Sequence, residues 1–374
     1  MRDMGHGLRK AASLALAASM VLAVGACSGG VSDSTVSGSA AATGAYKAAT
    51  GGELHVYTWA GYMPKSVIKA YEKDTGTKLT VDTFDSNEAL EAKMKSTGGT
   101  GYDVLMPSDY MVKQMISEGL LLKFDTSSLP NAKNIKSEFT SPYYDKKLQY
   151  SAPYLAGYTG IVYDSSSISA ADAPTSWKKF FSMASSAGKA QVLDDQIEIT
   201  NAALRATGSE QCSTNPEDYQ KASTLLTAFK NKVGVLSSEG VADRLASGEE
   251  KYGMAWSYDA YQAIVSKPSL KFVYPTDGTS KYVDNMAISV GAKNVAQAKT
   301  FINWMLNPKN QLPVNVSGGA GSVLKGGDDL LPASMKKSNT IVPSSAELKT
   351  LRMEQSCSNK INDYYTQLFE DFRR

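Results

Sequence analysis

Three carboxylates, Asp194, Asp195 and Glu198, stand among Val, Leu and Ile in the stretch V-L-D-D-Q-I-E-I-T at residues 192–200. Two chemistries fit this spacing. Asp195-x-x-Glu198 reads as a capping box, each side chain accepting a hydrogen bond from an unpaired N–H at a helix start, with Gly208 placed to end that helix. The same acids also suit a charge cluster facing a ligand. Acids and aromatics recur at the other predicted strand ends, giving the set Trp59, Tyr62, Ser108, Tyr110, Asp195, Glu198, Trp256, Tyr258, Asp259, Tyr282 and Asp284, which contains no basic residue. Carboxylates gathered in a dry cleft raise one another's pKa unless a cation sits among them. Aromatic faces attract cations by about 0.5–2 kcal/mol per contact. The complementary ligand is an organic cation, with a chain that lies along rings and an ammonium for each acidic cluster. Singly, such Trp and Tyr residues serve as core or rim, and Asp259 or Asp284 alone as a solvated loop acid, so the convergence carries the argument. Asp194 keeps the plainer reading of a strand-end or solvated acid.

The elements that must position these residues alternate between short β-rich runs and amphipathic stretches, an α/β pattern. E-L-H-V-Y-T-W (53–59) reads as a strand, followed by a helix from Pro64 to Gly76. L-T-V-D-T-F (79–84) is a second strand, Asp85-x-x-Glu88 caps a second helix, and Y-D-V-L-M-P-S (102–108) is a third strand. This β-α-β-α-β order predicts a twisted, largely parallel sheet, with ligands beyond the carboxyl ends of its strands. Y-S-A-P-Y-L-A-G-Y-T-G-I-V-Y (150–163) suits a segment crossing to a second domain, and V-D-N-M-A-I-S-V (283–290) a strand leading out again. In the second block A-Q-V-L-D-D and Y-G-M-A-W-S-Y-D-A-Y deliver further strand ends, while A-K-T-F-I-N-W-M-L-N-P is a helix stopped before Pro308.

From Leu54 to Tyr365 these pieces resemble the spermidine/putrescine-binding proteins of bacterial polyamine ABC transporters. The resemblance rests on Y-T-W-A-G-Y, F-D-S-N-E with A-K-M-K, Y-D-V-L-M-P-S-D-Y-M-V, A-P-Y-L-A-G-Y-T-G-I, T-S-W-K-K-F-F, L-D-D-Q-I-E, G-M-A-W, V-D-N-M-A-I and I-N-W-M-L-N-P, in the family's order. It implies a two-lobed periplasmic-binding-protein fold of type II, hinged and closing around its solute. It implies lobe 1 over 53–156 plus 285–328 and lobe 2 over 157–284 plus 329–374. Position by position, Trp59 and Tyr62 match the family's first aromatic pair, and Ser108 and Tyr110 its P-S-x-Y turn. Asp195 and Glu198 match acids that bind an amine, Trp256 the ring flanking the methylene chain, and Asp284 the acid holding a terminal ammonium. Asp259 fits the W-x-x-D pattern of putrescine-type members, and Tyr282 stands where some members carry Trp. The late polar contact falls at Glu354 or Gln355. Two places depart from the family pattern. Gly61 replaces an acid often found there, leaving recognition of an outer amine open, and G-G-A-G-S-V (318–323) replaces a G-Y-x-x-P/x-N turn. The implied function is a receptor that delivers a polyamine to an ABC permease, without chemistry, cofactor or metal.

The rest of the sequence is consistent with an exported receptor. With 374 residues, 42% hydrophobic and 20% charged, the chain has room for two ordinary domains. Arg2, Arg9 and Lys10 precede an apolar run ending in V-G-A-C (24–27), the layout of a lipoprotein signal over 1–26 with Cys27 as the lipidated anchor; an ordinary secretory signal with an incidental Cys is the alternative. A Gly, Ser, Ala, Thr and Val-rich stretch reads as a flexible linker over 27–52. The expected location is the outer face of the cell membrane, or the periplasm, as a monomer. Removing 1–26 takes three of 39 basic and one of 37 acidic residues, so the net charge falls from +2 to zero, which gives nucleic-acid binding no support. Cys212 and Cys357 are then an even pair, a candidate disulfide, with two separate thiols as the alternative. Only His6 and His55 are present, which excludes His-rich zinc sites. Two other functions compete. Tyr143-Tyr144 and Tyr364-Tyr365 resemble the adjacent tyrosines of ferric-ion receptors, and Asp195 with Glu198 suits acid and base roles in glycoside hydrolysis. No nucleophile, zincin or P-loop motif accompanies them.

Overall fold

The computed structural model describes residues 44–183 and 185–374; the expected signal segment, Cys27 and most of the expected linker lie outside them. The first block runs β1 (Glu53–Trp59), α1 (Lys65–Thr75), β2 (Lys78–Phe84), α2 (Asn87–Thr97), β3 (Val104–Leu105), α3 (Asp109–Ser117) and β4 (Leu121–Leu122). Gly76, at φ 69°, ends α1 in the left-handed turn that a residue without Cβ adopts freely. The cap of α2 is Ser86, whose hydroxyl accepts from Ala89 N at 3.1 Å, and not the Asp85-x-x-Glu88 box expected from the sequence. β3 is only two residues long where 102–108 had been expected. The Asp103 carboxylate takes the His55 N–H at 3.0 Å, and Pro107 has no N–H to donate, so side chain and loop replace ladder bonds.

The chain then crosses on β5 (Ser151–Asp164) into a second block. It contains α4 (Trp177–Ser182), β6 (Ala190–Val192), α5 (Gln196–Ala206), α6 (Pro216–Phe229), β7 (Val233–Leu236), α7 (Val241–Ser247), β8 (Tyr252–Trp256), α8 (Ser257–Ser266) and β9 (Leu270–Val273). It returns on β10 (Thr279–Ser289) to α9 (Val295–Met305), α10 (Pro308–Gly318) and α11 (Gly327–Leu330), and ends with β11 (Leu351–Met353) and α12 (Asn359–Arg373). Pro308, expected to stop a helix, also opens the next one, where a missing N–H costs nothing.

The strand order is β2-β1-β3-β10-β5-β8-β6-β7. β1 is parallel to β2 and β3, and β6 is parallel to β7 and β8. Between these groups β3, β10, β5 and β8 pair antiparallel, which corrects the expectation of a largely parallel sheet. The reason is the double crossing: a chain that leaves one lobe on β5 and returns on β10 must run the two in opposite directions. Their register slips between Asp284 and Asn285, a bulge that bends β10 where the lobes meet.

Two further features fix the ends of the described chain. Residues 44–52, read as the last part of a free linker, are hydrogen-bonded to α9 and α1: Lys299 Nζ donates to Gly44 O at 2.7 Å, Ala49 N to Thr300 Oγ1 at 2.9 Å, and Gly51 N to Thr75 O at 2.9 Å. At the other end α12 buries Ile361, Tyr365, Leu368, Phe369 and Phe372, and Cys357 just before it is joined to Cys212 with Cα atoms 5.3 Å apart. The expected pair therefore meets, stapling the segment after β11 to the segment after α5.

Candidate functional site

Most of the candidate residues reach the cleft because strands end there, whereas Tyr282 and Asp284, expected at a strand end, lie inside β10. β1 ends at Trp59, and the turn after it carries Tyr62; the turn after β3 carries Ser108 and opens α3 at Asp109, followed by Tyr110. β6 leads to Asp195, β8 ends at Trp256, and the bulge of β10 places Asp284 next to Ser108 in an isolated bridge. All ten residues expected to contact a ligand line one cleft of about 720 Å³, counting its solvent-open part. No Lys, Arg or His is among the described residues lining it.

Both readings of Asp195-x-x-Glu198 are half built. Asp195 caps α5, its Oδ1 accepting from Ile197 N at 2.9 Å and Glu198 N at 3.0 Å. The reciprocal bond is not made. Glu198 turns into the cleft, where Oε1 accepts from Trp256 Nε1 at 3.0 Å and from the Thr159 hydroxyl. Asp194, the plainer acid, points away to Arg373 at 3.4 Å. At the other acidic group Asp284 is held by two hydroxyls, Ser108 Oγ at 2.6 Å and Tyr62 Oη at 2.7 Å. Tyr110 Oη donates to Glu88 at 3.1 Å and accepts from Asn87 Nδ2 at 3.1 Å, and Asn87 Oδ1 accepts from Ser108 N.

Rings separate the acids. Trp59 and Trp256 approach edge to face with centroids 6.0 Å apart, Phe84 packs on Trp59 at 4.6 Å, and Tyr62 lies 5.6 Å from Tyr258. The electrostatics follow from this burial. Glu198 is pushed up to about 7, first by burial and then by the nearby Asp195. Asp284 is pushed up to about 6 by burial, although the Ser108 and Tyr62 hydroxyls oppose the shift. Burial also raises Asp259, Glu88 and Asp195, and it raises Glu354 well above the ordinary carboxylate range, with Glu198, Asp109 and Asp195 adding repulsion. Arg205, buried and interacting with Glu198 and Glu354, donates to Ser280 Oγ at 3.2 Å, while Arg244 opposes the rise at Asp259. Neither arginine lines the cleft.

The tyrosine pairs are elsewhere. Tyr144 donates to Asn285 at 3.0 Å, Tyr365 donates to Asn201 at 2.7 Å while accepting from Cys212 N, and Tyr364 stacks on Tyr219 at 4.7 Å. None of the four lines the cleft, and no group of three or more His, Cys, Asp or Glu among the described residues is arranged to hold a metal ion.

The sequence profile of a family described as bacterial extracellular solute-binding protein matches residues 66–337. This chain belongs to that family. It is 31% identical over 327 residues to spermidine/putrescine-binding periplasmic protein 1 of Haemophilus influenzae, covering 87% of this chain and 90% of that one. Among solved structures it is similar to a spermidine/putrescine ABC transporter protein of Listeria monocytogenes, with 30% identity, a TM-score of 0.81, and coverage of 86% of this chain and 98% of that one. It is also similar to the TpPotD lipoprotein of Treponema pallidum, with 27% identity, a TM-score of 0.75, and coverage of 86% and 99%. The expected two-lobed binding-protein fold is therefore the observed one.

Reading strand ends missed several lining residues of this solute-binding protein: Phe84, Asp85, Asn87, Ser238 and Glu239. F-D-S-N-E had been noted as a strand end, so three of these were within reach, whereas Ser238 and Glu239 sit in an irregular turn before α7 that no periodicity marks. Of the pair Glu354 or Gln355, the structure selects Glu354, brought to the cleft by β11 pairing with β10.

Proposed function

We propose that this protein captures a linear polyamine between its lobes and presents it to the permease of an ABC importer. One observation carries the reading: the cleft holds buried carboxylates at separate places, Asp284 under Tyr62 and Ser108 and Glu198 near Asp195, with the rings of Tyr62, Trp59 and Trp256 running between them and no Lys, Arg or His among the described residues that line it. An ammonium at each acid group relieves the mutual repulsion of buried carboxylates, and a methylene chain between Trp59 and Trp256 exchanges water for ring faces. The named relatives, described as spermidine/putrescine-binding or as PotD-type, support the same ligand class.

The ten cleft residues take these roles. Asp284, oriented by Ser108 and Tyr62, holds one ammonium, and Asp259 adds negative charge to the same cleft. Glu198, oriented by Thr159 and Trp256, holds another with Asp195, while Tyr110 and Tyr282 complete the walls. The lobes are 53–156 plus 285–328 and 157–284 plus 329–374, pivoting on β5 and β10. Cys27 is the lipid anchor, which keeps the receptor at the outer face of the membrane as a monomer near its permease. Isothermal titration with putrescine and with spermidine tests the binding reading: saturable heat with one-to-one stoichiometry is expected, and no saturation with either amine overturns it. Radiolabelled palmitate incorporation, lost in Cys27→Ala, tests the anchor.

A further inference from the structure

Two departures from the resembled family, Gly61 and the glycine-rich turn at 318, are far apart in sequence and meet around a single side chain. Tyr258, the second residue of α8, reaches across the cleft mouth from one lobe and donates its Oη to the Gly61 carbonyl at 3.0 Å. A Cβ on Gly61 would lie 2.7 Å from that Oη, and Gly61, at φ 80°, is in the left-handed region as well. A Cβ on Gly318 would lie 2.3 Å from the Tyr258 ring. The same seam continues: a Cβ on Gly319 would lie 2.2 Å from the Tyr261 ring, and Gln262 Nε2 donates to Ser317 O at 3.3 Å. Both glycines are therefore the empty halves of a socket, and any side chain at 61 or 318 would unseat the tyrosine. Tyr258 is also a lining residue, beside Tyr62 and next in sequence to Asp259, at the Asp284 end.

We infer that Tyr258 is a specificity-determining residue that closes the cleft beyond Asp284 and limits the ligand to short linear diamines. The inference rests on the amine reading above and deepens it. Position 61 supplies no carboxylate, and the tyrosine ring and its hydrogen bond occupy the space where a further amine would extend. A triamine spanning both acid groups must either fold or push its further ammonium into space that the Tyr258 side chain already fills and where position 61 offers no carboxylate, so its affinity falls relative to a diamine. Gly61, Gly318 and Tyr258 thus act as one unit: the glycines alone would lengthen the cleft, and the tyrosine alone would not fit.

Titration calorimetry of putrescine and spermidine against the wild type and Tyr258→Ala tests this. The wild type is expected to bind putrescine at least tenfold more tightly than spermidine, and Tyr258→Ala to lower that ratio by tenfold or more, chiefly by improving spermidine. Tyr258→Phe, which keeps the ring and removes only the bond to Gly61, is expected to keep the wild-type ratio. Should Tyr258→Ala fail to fold, Tyr258→Leu reads the same ratio, because it keeps apolar packing on Gly318 but cannot reach Gly61. Wild-type preference for spermidine, or a ratio unchanged in the Ala or Leu variant, overturns the inference while leaving amine binding intact. Absence of binding by both amines in the wild type overturns the amine reading itself and this inference with it.

Discussion

Asp284→Asn separates what the cleft costs the empty protein from what it gives the ligand. Asp284 is 1% exposed, and its pKa is pushed up from 3.8 to about 6. A carboxylate raised in the folded state binds its proton more tightly there than in the unfolded chain. Its contribution to stability is therefore intact below pH 4 and is lost as pH rises through 6. At pH 8 the loss is about 3 kcal/mol, taking roughly 1.36 kcal/mol per pKa unit. Asparagine is nearly isosteric and uncharged, and of the Ser108 and Tyr62 hydroxyls the one facing its Nδ2 can turn to accept while the other still donates to its Oδ1. The empty variant should gain up to about 3 kcal/mol at pH 8, or roughly 4 °C in melting temperature, counting the described residues 44–183 and 185–374 as the unit that unfolds with an entropy near 2 cal/mol/K per residue. That gain should vanish by pH 4. Amine binding should move the other way, weakening by about 2–3 kcal/mol, roughly 30- to 150-fold, because a charge-assisted bond in a desolvated site is lost. Scanning calorimetry of the empty variant at pH 8, 6 and 4, with titration of putrescine at pH 8, measures both. An empty variant that melts lower than wild type at pH 8, or one that binds putrescine as tightly as wild type does, would refute the reasoning.

Three other outcomes follow from the same geometry. Because Glu198 and Asp284 titrate near 7 and 6, amine binding should release protons, and the association constant should fall as pH drops from 8 to 5.5; calorimetry in buffers of different ionisation enthalpy reads the protons directly. Trp256→Ala removes both a ring face and the Nε1–H that orients Glu198, so amine affinity should drop by about 1–3 kcal/mol, while Trp256→Phe should recover part of it through the ring alone. Reducing Cys212–Cys357, which are 145 residues apart, should lower stability by about 2–4 kcal/mol in urea denaturation. It should also weaken amine binding, since Glu354 lies three residues before Cys357; unchanged affinity after reduction would separate the staple from the site.

Much of the candidate site was legible because strand ends of the parallel parts of an α/β sheet point one way, and acids and rings collected there stand out against apolar strands. Trp59, Ser108, Asp195 and Trp256 were found on that rule. Glu198 shows its limit. The capping pattern Asp195-x-x-Glu198 is real for Asp195, but whether Glu198 folds back or turns outward depends on Thr159 and Trp256, which belong to β5 and β8 and are not neighbours in sequence. The parallel sheet was misjudged for a similar reason. Local β-α-β order sets the direction of β1, β2 and β3, while β5 and β10 take theirs from the need to cross between lobes twice. Ser86, rather than Asp85, caps α2 because a hydroxyl at that position reaches Ala89 N, a choice between adjacent capping residues that sequence leaves open. Tyr258 lay in the set of strand-end residues, but its partners Gly61 and Gly318 carry no chemistry of their own and become meaningful only when they are seen around it.

The bulge between Asp284 and Asn285 puts one of the strongest candidate grips on the ligand in a crossing strand, at the axle of the hinge. Asn285 is braced there by Tyr144, so the axle is stiff on one side. A force applied at an axle has almost no lever arm. An ammonium held by Asp284 can be gripped firmly and yet turn the lobes very little. Closure draws instead on contacts that cross the cleft directly, such as Tyr258 to Gly61 at 3.0 Å and Gln196 to Glu88 at 3.4 Å. Holding the cargo and shutting the door are then distinct mechanical tasks for Asp284, while Tyr258 serves both.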